Sequence, residues 1–191
     1  IDDKSNLNYL CAAGVAFMFL VSVNQGLRLD GWYKSKNKSE PNLLNYLDLV
    51  TLGTVCDVVP LVGLNRAIVK QGLKILSSKK NLGIKTLLDI CDVNCNPNVY
   101  HVGYLLGPRI NAGGRVGKSS HGANLLLNKD PKDTYRIAME LDEFNRERQL
   151  LEKDVIEKIL KKIEKNLSDP VLVISGNQWH EGVIGIAAAR I

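Results

Sequence analysis

The chain has 191 residues, 45% of them hydrophobic and 24% charged, a balance that fits a globular fold and excludes a disordered or collagen-like one. Its net charge of +5 is compatible with a polyanionic partner without demanding one. Cys11, Cys56, Cys91 and Cys95 do not form the paired sets of a zinc finger, and they point to a reduced, cytoplasmic setting.

Ile1 opens the chain in place of an initiator methionine, and Arg190 and Ile191 close it inside an apolar run that reads as unfinished helix. The expectation is a piece of a longer protein, with parts of any active site outside it. The apolar run Leu10 to Val23 ends at Asn24 and Gln25, short of the roughly 20 residues that span a bilayer. Asp2 and Asp3 stand where a signal peptide would be basic. A helix over 8–29, apolar nearly all round and buried, is therefore expected, with no membrane association. The polar segment 30–41 reads as a loop. Residues 42–52 read as helix, as do 65–77 from the spacing of Ile68, Leu73 and Leu76, and 83–91. Pro97 and Asn98 break the chain before a glycine-rich stretch, Gly103 to Gly122, and a short apolar segment, Ala123 to Leu127.

Asp130-Pro131 begins the clearest element, because proline suits the first turn of a helix. Ile137, Leu141, Phe144, Leu151, Val155, Ile159 and Ile163 then recur at helical spacing. A helix from there to Leu167 would be about 55 Å long. Capped by Pro170, it reads as a connector between two lobes, with a coiled-coil arm as the alternative. Val171 to Ser175 reads as a buried strand ended by Gly176, and Gly182 to Ile191 as helix, together the start of a further α/β domain.

Three stretches carry chemistry. Asp57 sits in the apolar run Gly53-Thr54-Val55-Cys56-Asp57-Val58-Val59-Pro60-Leu61; a buried carboxylate needs a cation, a hydrogen-bond set or a metal, and a capping aspartate is the alternative. Gly107-Pro108-Arg109-Ile110-Asn111-Ala112-Gly113-Gly114-Arg115, followed by Lys118, combines backbone amides with guanidinium and amide donors and reads as a phosphate cradle, against a solvated turn. Ala112 to Ser119 also matches a relaxed Walker phosphate loop. That loop should follow a buried strand, which Pro108 and Arg109 resist. In Trp179-His180-Glu181-Gly182-Val183-Ile184-Gly185, Trp179 reads as a base-stacking ring or a packed one, and His180 as a substrate contact or a helix cap.

In this order, the three stretches resemble the RecJ exonucleases of the DHH phosphoesterase superfamily. The first is similar to that family's GTVADVVPL, with Cys56 where alanine is usual, and is followed by Asn65-Arg66 and Gln71-Gly72-Leu73. The second is similar to GPRINAAGR, with Gly113 replacing an alanine, and the third to WHxGVIG. Asn145, Arg148 and Glu152 fit the family's connector helix. The resemblance implies an α/β protein: the C-terminal part of a DHH domain with a parallel sheet over 1–128, a long connector helix over 129–168, and the start of a DHHA1 domain over 169–191. It implies a 5′-to-3′ exonuclease on single-stranded DNA, using Mn2+ or Mg2+, with a single-strand-binding protein and a helicase as further partners. Asp57 matches a metal ligand; Arg109, Asn111 and Arg115 match the substrate cleft, to which Trp179 and His180 add candidate contacts. The aspartate-rich motif, the DHH triplet and the Gly-Gly-His motif are expected outside these residues, so the stretch alone is expected to be inactive. The alternatives are a phosphoesterase on short oligonucleotides or cyclic dinucleotides, and a P-loop-like or non-enzymatic binding module.

Overall fold

The structure, a computed structural model, describes residues 7–163 and 171–191. Nine α-helices run in order: α1 Ala12–Leu29, α2 Trp32–Ser35, α3 Leu47–Cys56, α4 Gly63–Ser77, α5 Leu82–Ile90, α6 Gly107–Val116, α7 His121–Leu127, α8 Pro131–Ile163 and α9 Glu181–Ala188, among the described residues. A 3-10 turn, Leu43–Tyr46, leads into α3, and a π-helical turn, His101–Leu106, leads into α6. The chain divides into two compact units, Ile1–Gly107 and Pro108–Ile191.

In the first unit α3 is the central helix. Leu47, Val50, Thr51, Leu52, Thr54 and Val55 are all buried, so it presents core on nearly every side. Phe17 of α1, Leu47 and Val50 of α3, and Ile68 of α4 form one apolar cluster, each fully buried side chain of this size contributing roughly 1.5–3 kcal/mol. The approach of α4 to α3 depends on Gly72: a Cβ there would lie 1.9 Å from Thr51 Oγ1 and 2.3 Å from the Leu47 carbonyl oxygen. Polar groups in this core are answered locally. The Thr54 hydroxyl donates to Val50 O at 2.7 Å, and the Asn65 side-chain amide donates to Tyr9 O and Pro60 O, both at 3.0 Å.

The expectation of a helix buried all round fits α3, not α1. Of α1 only Gly14, Phe17 and Asn24 are buried, while Val15, Phe19, Leu20 and Val23 are exposed. One face of α1 meets α3, and α2 packs against its C-terminal half, where the Tyr33 hydroxyl donates to Asn24 Oδ1. Its 18 residues are long and apolar enough to cross a membrane, by length and composition alone. Within the expected 30–41 loop lies the short helix α2.

In the second unit α8 is the frame. Asp130 caps its start, Oδ1 accepting from the Asp133 N–H at 2.8 Å, and Pro131 takes the first helical position. Its 33 residues make about 50 Å of helix. The last part of the expected connector, 164–168, and the cap at Pro170 lie outside the described residues. Along α8, Ile137, Ala138 and Leu141 are buried where α7 packs, and Val155, Ile159 and Ile163 pack with Val183 and Ala187 of α9. The connector therefore lies within the second compact unit.

The parallel sheet expected from the sequence is not present: no strand forms among the described residues. Val171 to Ser175 has no secondary structure, and Val171, Leu172 and Val173 are exposed. A strand is defined by its ladder, and this segment's backbone groups meet no neighbouring strand.

Candidate metal and nucleic-acid site

Asp57 ends α3 as its C-cap residue, its N–H reaching Gly53 O and Val55 O. Its carboxylate is exposed rather than buried, which overturns the premise of a carboxylate interred in an apolar run. The chain turns sharply just after it. Val58 has φ +54 and is 87% exposed, a left-handed conformation that is a strained outlier for a β-branched residue and costs roughly 1–3 kcal/mol. This turn carries α3 into Val59-Pro60-Leu61 and leaves Asp57 at the helix end.

The electrostatics at this end favour a cation. A carboxylate at a helix C-terminus adds its charge to the negative end of the macrodipole. No ion pair among the described residues includes it. The neighbouring Cys56 thiol is pushed up to about 11, by burial first and then by the Asp57 charge. Asp57 fits a hard divalent cation as a carboxylate donor. No cluster of three or more His, Cys, Asp or Glu occurs among the described residues, so Asp57 would give one ligand of a larger set. Beside it a cavity of about 290 Å³ is lined by Val55, Cys56, Val58, Val59, Val99 and Tyr104, among others.

The glycine-rich stretch is not a loop. The π-helical turn runs directly into α6, so Gly103 to Val116 is helical and its interior N–H groups are committed to helix carbonyls rather than free to cradle an anion. The wider π turn accommodates Pro108, whose ring would clash with the carbonyl four residues back in a regular helix. The same geometry removes the Walker reading, since helix rather than strand precedes it. Gly117 is explained by packing: a Cβ there would lie 2.4 Å from the Phe144 ring.

Of the side chains assigned to this stretch, Asn111 and Arg115 are exposed on α6 and Arg109 is half-buried. Arg109 Nε donates to Asp142 Oδ1 at 2.8 Å. Asp142, 3% exposed, holds Arg146 on its other oxygen, also at 2.8 Å. Arg115 Nη1 donates to Gly182 O at 3.2 Å, at the start of α9. Trp179 packs on the apolar cluster of α8 and α9, with Lys162 Nζ 5.7 Å from its ring centroid. His180 is the N-cap of α9, Nδ1 accepting from the Gly182 N–H at 3.1 Å. The packed ring and capping imidazole are thus the arrangement seen.

The sequence reading missed the ionic centre of this unit. Glu152, buried on α8, pairs with Arg148 Nη1 at 2.7 Å and with Arg190 Nη1 at 2.6 Å. Arg148 Nη2 also donates to the buried Asn145 Oδ1 at 3.2 Å. Burial holds the Arg148 guanidinium below its usual range, and the nearby charges of Arg115 and Arg190 push the same way against Glu152. The four-residue spacing of Arg148 and Glu152 was legible as a helix pair; Arg190 was not.

No protein-family model matches the chain. Its sequence is 39% identical to the single-stranded-DNA-specific exonuclease RecJ of Dickeya dadantii over 189 residues, covering 95% of this chain and 33% of that protein. It is 38% identical to the Escherichia coli RecJ over 189 residues, with the same coverage of each. Among solved structures, RecJ of Thermus thermophilus in complex with Mn2+ matches 83% of this chain and 24% of its own, at 33% identity and TM-score 0.70. An exonuclease RecJ bound to manganese matches 93% of this chain and 42% of its own, at 32% identity and TM-score 0.75. Fold and sequence thus point to one class, a DHH-type region. The chain is similar to part of RecJ and spans about a third of the length of the curated relatives it matches.

Proposed function

We propose that the protein containing these residues is a metal-dependent exonuclease that hydrolyses phosphodiester bonds of single-stranded DNA from the 5′ end. The observation that carries this is Asp57: a carboxylate exposed at the negative end of α3, on a strained turn, in the stretch similar to the family's GTVADVVPL. Relatives named single-stranded-DNA-specific exonuclease, and RecJ structures determined with Mn2+ or Mg2+, support the reading. Asp57 would hold one of two divalent cations, which when bound would activate water and stabilise the leaving oxygen. Arg109, Asn111 and Arg115 would meet the DNA backbone, their donors drawing phosphates to α6. Trp179 and His180 would act at one remove, seating the start of α9. A single-strand-binding protein and a helicase are the further partners this reading adds, in a cytoplasmic setting.

The family's domain bounds come with it: a DHH domain through 128, a connector over 129–168, and a DHHA1 domain from 169, in which Val171 to Ser175 would gain strand partners. The exposed face of α1 would be covered by the same longer protein. These residues alone supply one candidate ligand, so the stretch by itself should not turn over DNA. A P-loop reading has no strand to start from, and the short-oligonucleotide reading has no observation favouring it. The test is the full-length protein on 5′-labelled single-stranded and duplex DNA, with and without manganese. Metal-dependent loss of the 5′ label from single strands only is expected; equal cutting of duplex, or metal-independent cutting, would refute it.

A further inference from the structure

Asp57 is exposed, and no ion pair among the described residues includes it. Its carboxylate is placed by the backbone, by α3 behind it and by the turn ahead of it. The α3 side is regular: the Asp57 N–H reaches Gly53 O at 3.0 Å, and the Val58 N–H reaches Val55 O at 3.2 Å. The other side is a turn that packing does not secure. Val58, Pro60, Val62 and Gly63 are exposed, and Val59 and Leu61 are half-buried. Val58 sits at φ +54, a conformation that a β-branched residue keeps only where its surroundings impose it.

The anchor of that turn is Asn65, fully buried in the first turn of α4. Its Nδ2 donates to Pro60 O and to Tyr9 O, both at 3.0 Å. Tyr9 answers with its hydroxyl, which accepts the Leu64 N–H at 3.3 Å. Val62, the N-cap of α4, supplies no side-chain acceptor, so the Tyr9 hydroxyl meets one of the free N–H groups of that helix start. The lead-in to α1 is itself docked on the end of α3. Cys11 Sγ lies 3.5 Å from Thr54 Oγ1, and a Cβ on Gly53 would lie 2.7 Å from Ala13 Cβ. Asn65 thus pins the turn back to the end of α3 that it leaves. Its Oδ1 is buried without a partner among the described residues. A leucine of similar size would fill the site without burying an unpaired acceptor of its own, so the amide serves here through its two donors.

We propose that Asn65, braced by Tyr9, is a positioning residue for Asp57: by holding Pro60 O it fixes the turn at Val58 and so aims the carboxylate at its cation. The proposal deepens the exonuclease reading and rests on it for Asp57 as a metal ligand. Asn65 touches neither metal nor substrate and acts through the backbone of the turn.

The test uses the full-length parent, Asn65→Leu, Tyr9→Phe, Asp57→Ala, the double variant Asp57→Ala/Asn65→Leu, and Ile84→Val as a control buried on α5 of the same unit. Manganese binding is read without DNA, from the electron paramagnetic resonance of free Mn2+, and degradation of single-stranded DNA is followed across a manganese titration. In Asn65→Leu the manganese dissociation constant should rise about ten-fold or more, and Tyr9→Phe should shift it the same way by less. The manganese concentration for half-maximal degradation should rise in step, with kcat at saturating manganese close to parental. Ile84→Val should lower Tm and leave manganese binding parental; an equal shift there would make the effect one of general stability and overturn the proposal. The double variant should bind manganese no more weakly than Asp57→Ala, because Asn65 acts through Asp57. Additive losses in it, or parental manganese binding by a folded Asn65→Leu, would overturn the positioning role. If Asn65→Leu does not fold, Tyr9→Phe decides: a raised constant supports the role and a parental one overturns it. A parent that binds manganese without degrading single strands would end the exonuclease reading, while the binding constants would still decide the role of Asn65; a parent that binds no manganese would overturn both.

Discussion

In the first unit the buried polar groups are mostly neutral: Thr51, Thr54 and Asn65 bond to backbone carbonyls. In the second, beside neutral Thr134 and Asn145, two are ionic: Asp142 and Glu152 are each buried and each hold two arginines. Neutral partners suffice to close an apolar helix core. Burying a charged carboxylate costs desolvation that close cations offset, and Asp142 and Glu152 in the second unit each have two arginines within ion-pair distance. The two units thus differ in their buried chemistry: hydrogen bonds to backbone carbonyls in the first, carboxylates paired with arginines in the second.

The largest expected effect breaks the neutral core. Gly72→Val would drive a side chain into Thr51 and the Leu47 carbonyl, and should destabilise the full-length protein by about 3 kcal/mol, read as the shift in urea midpoint. A change below about 0.5 kcal/mol would mean that α4 does not approach α3 so closely. Next come the two arginines of the glycine-rich motif. Arg109→Ala leaves Asp142 with Arg146 alone, whose side chain is 74% exposed, and should cost about 2 kcal/mol. Arg115→Ala, at an exposed position, should stay within about 0.5 kcal/mol. Both should weaken binding of single-stranded DNA. Equal stability losses would erase the distinction between a guanidinium paired with a buried carboxylate and an exposed one.

The smallest effect concerns Asp48, the buried carboxyl of the first unit. Burial holds it above the usual carboxylate range, against the Leu49 N–H that stabilises its charge. A raised carboxyl favours folding in its protonated form; that contribution is full below the ordinary aspartate value and is lost as pH rises through the raised one. Asp48→Asn should therefore raise Tm slightly at pH 7, and the gain should vanish below about pH 3.9. A mutant less stable at pH 7 would show that the charge is satisfied where it sits.

Much of the helical order was legible. Asp130-Pro131 and the apolar recurrence through Ile163 announced α8, and Ile68 and Leu76 announced α4, because helical periodicity and proline position are local signals. The glycine-rich motif misled because its glycines serve packing, as Gly117 does under Phe144, rather than loop freedom. Val171 to Ser175 misled because β-branched composition expresses a tolerance for strand that only a neighbouring strand fulfils. The apolar length of α1 did not tell which faces would find partners. Asp57 was singled out for a reason the fold reversed, since it is exposed at a helix end and not buried. Arg190 carried no local signal, and only the docking of α9 on α8 brings it to Glu152.

The central claim is that Asp57 serves a metal-dependent nuclease as a ligand. The direct measurement is degradation of 5′-labelled single-stranded DNA by full-length Asp57→Ala across a manganese titration, beside the parent. The account predicts a loss of about a thousand-fold or more at every manganese concentration, with circular dichroism and DNA binding in EDTA unchanged, since the exposed side chain holds no part of the core. Near-parental cleavage by the folded variant, at any manganese concentration that supports the parent, would contradict it.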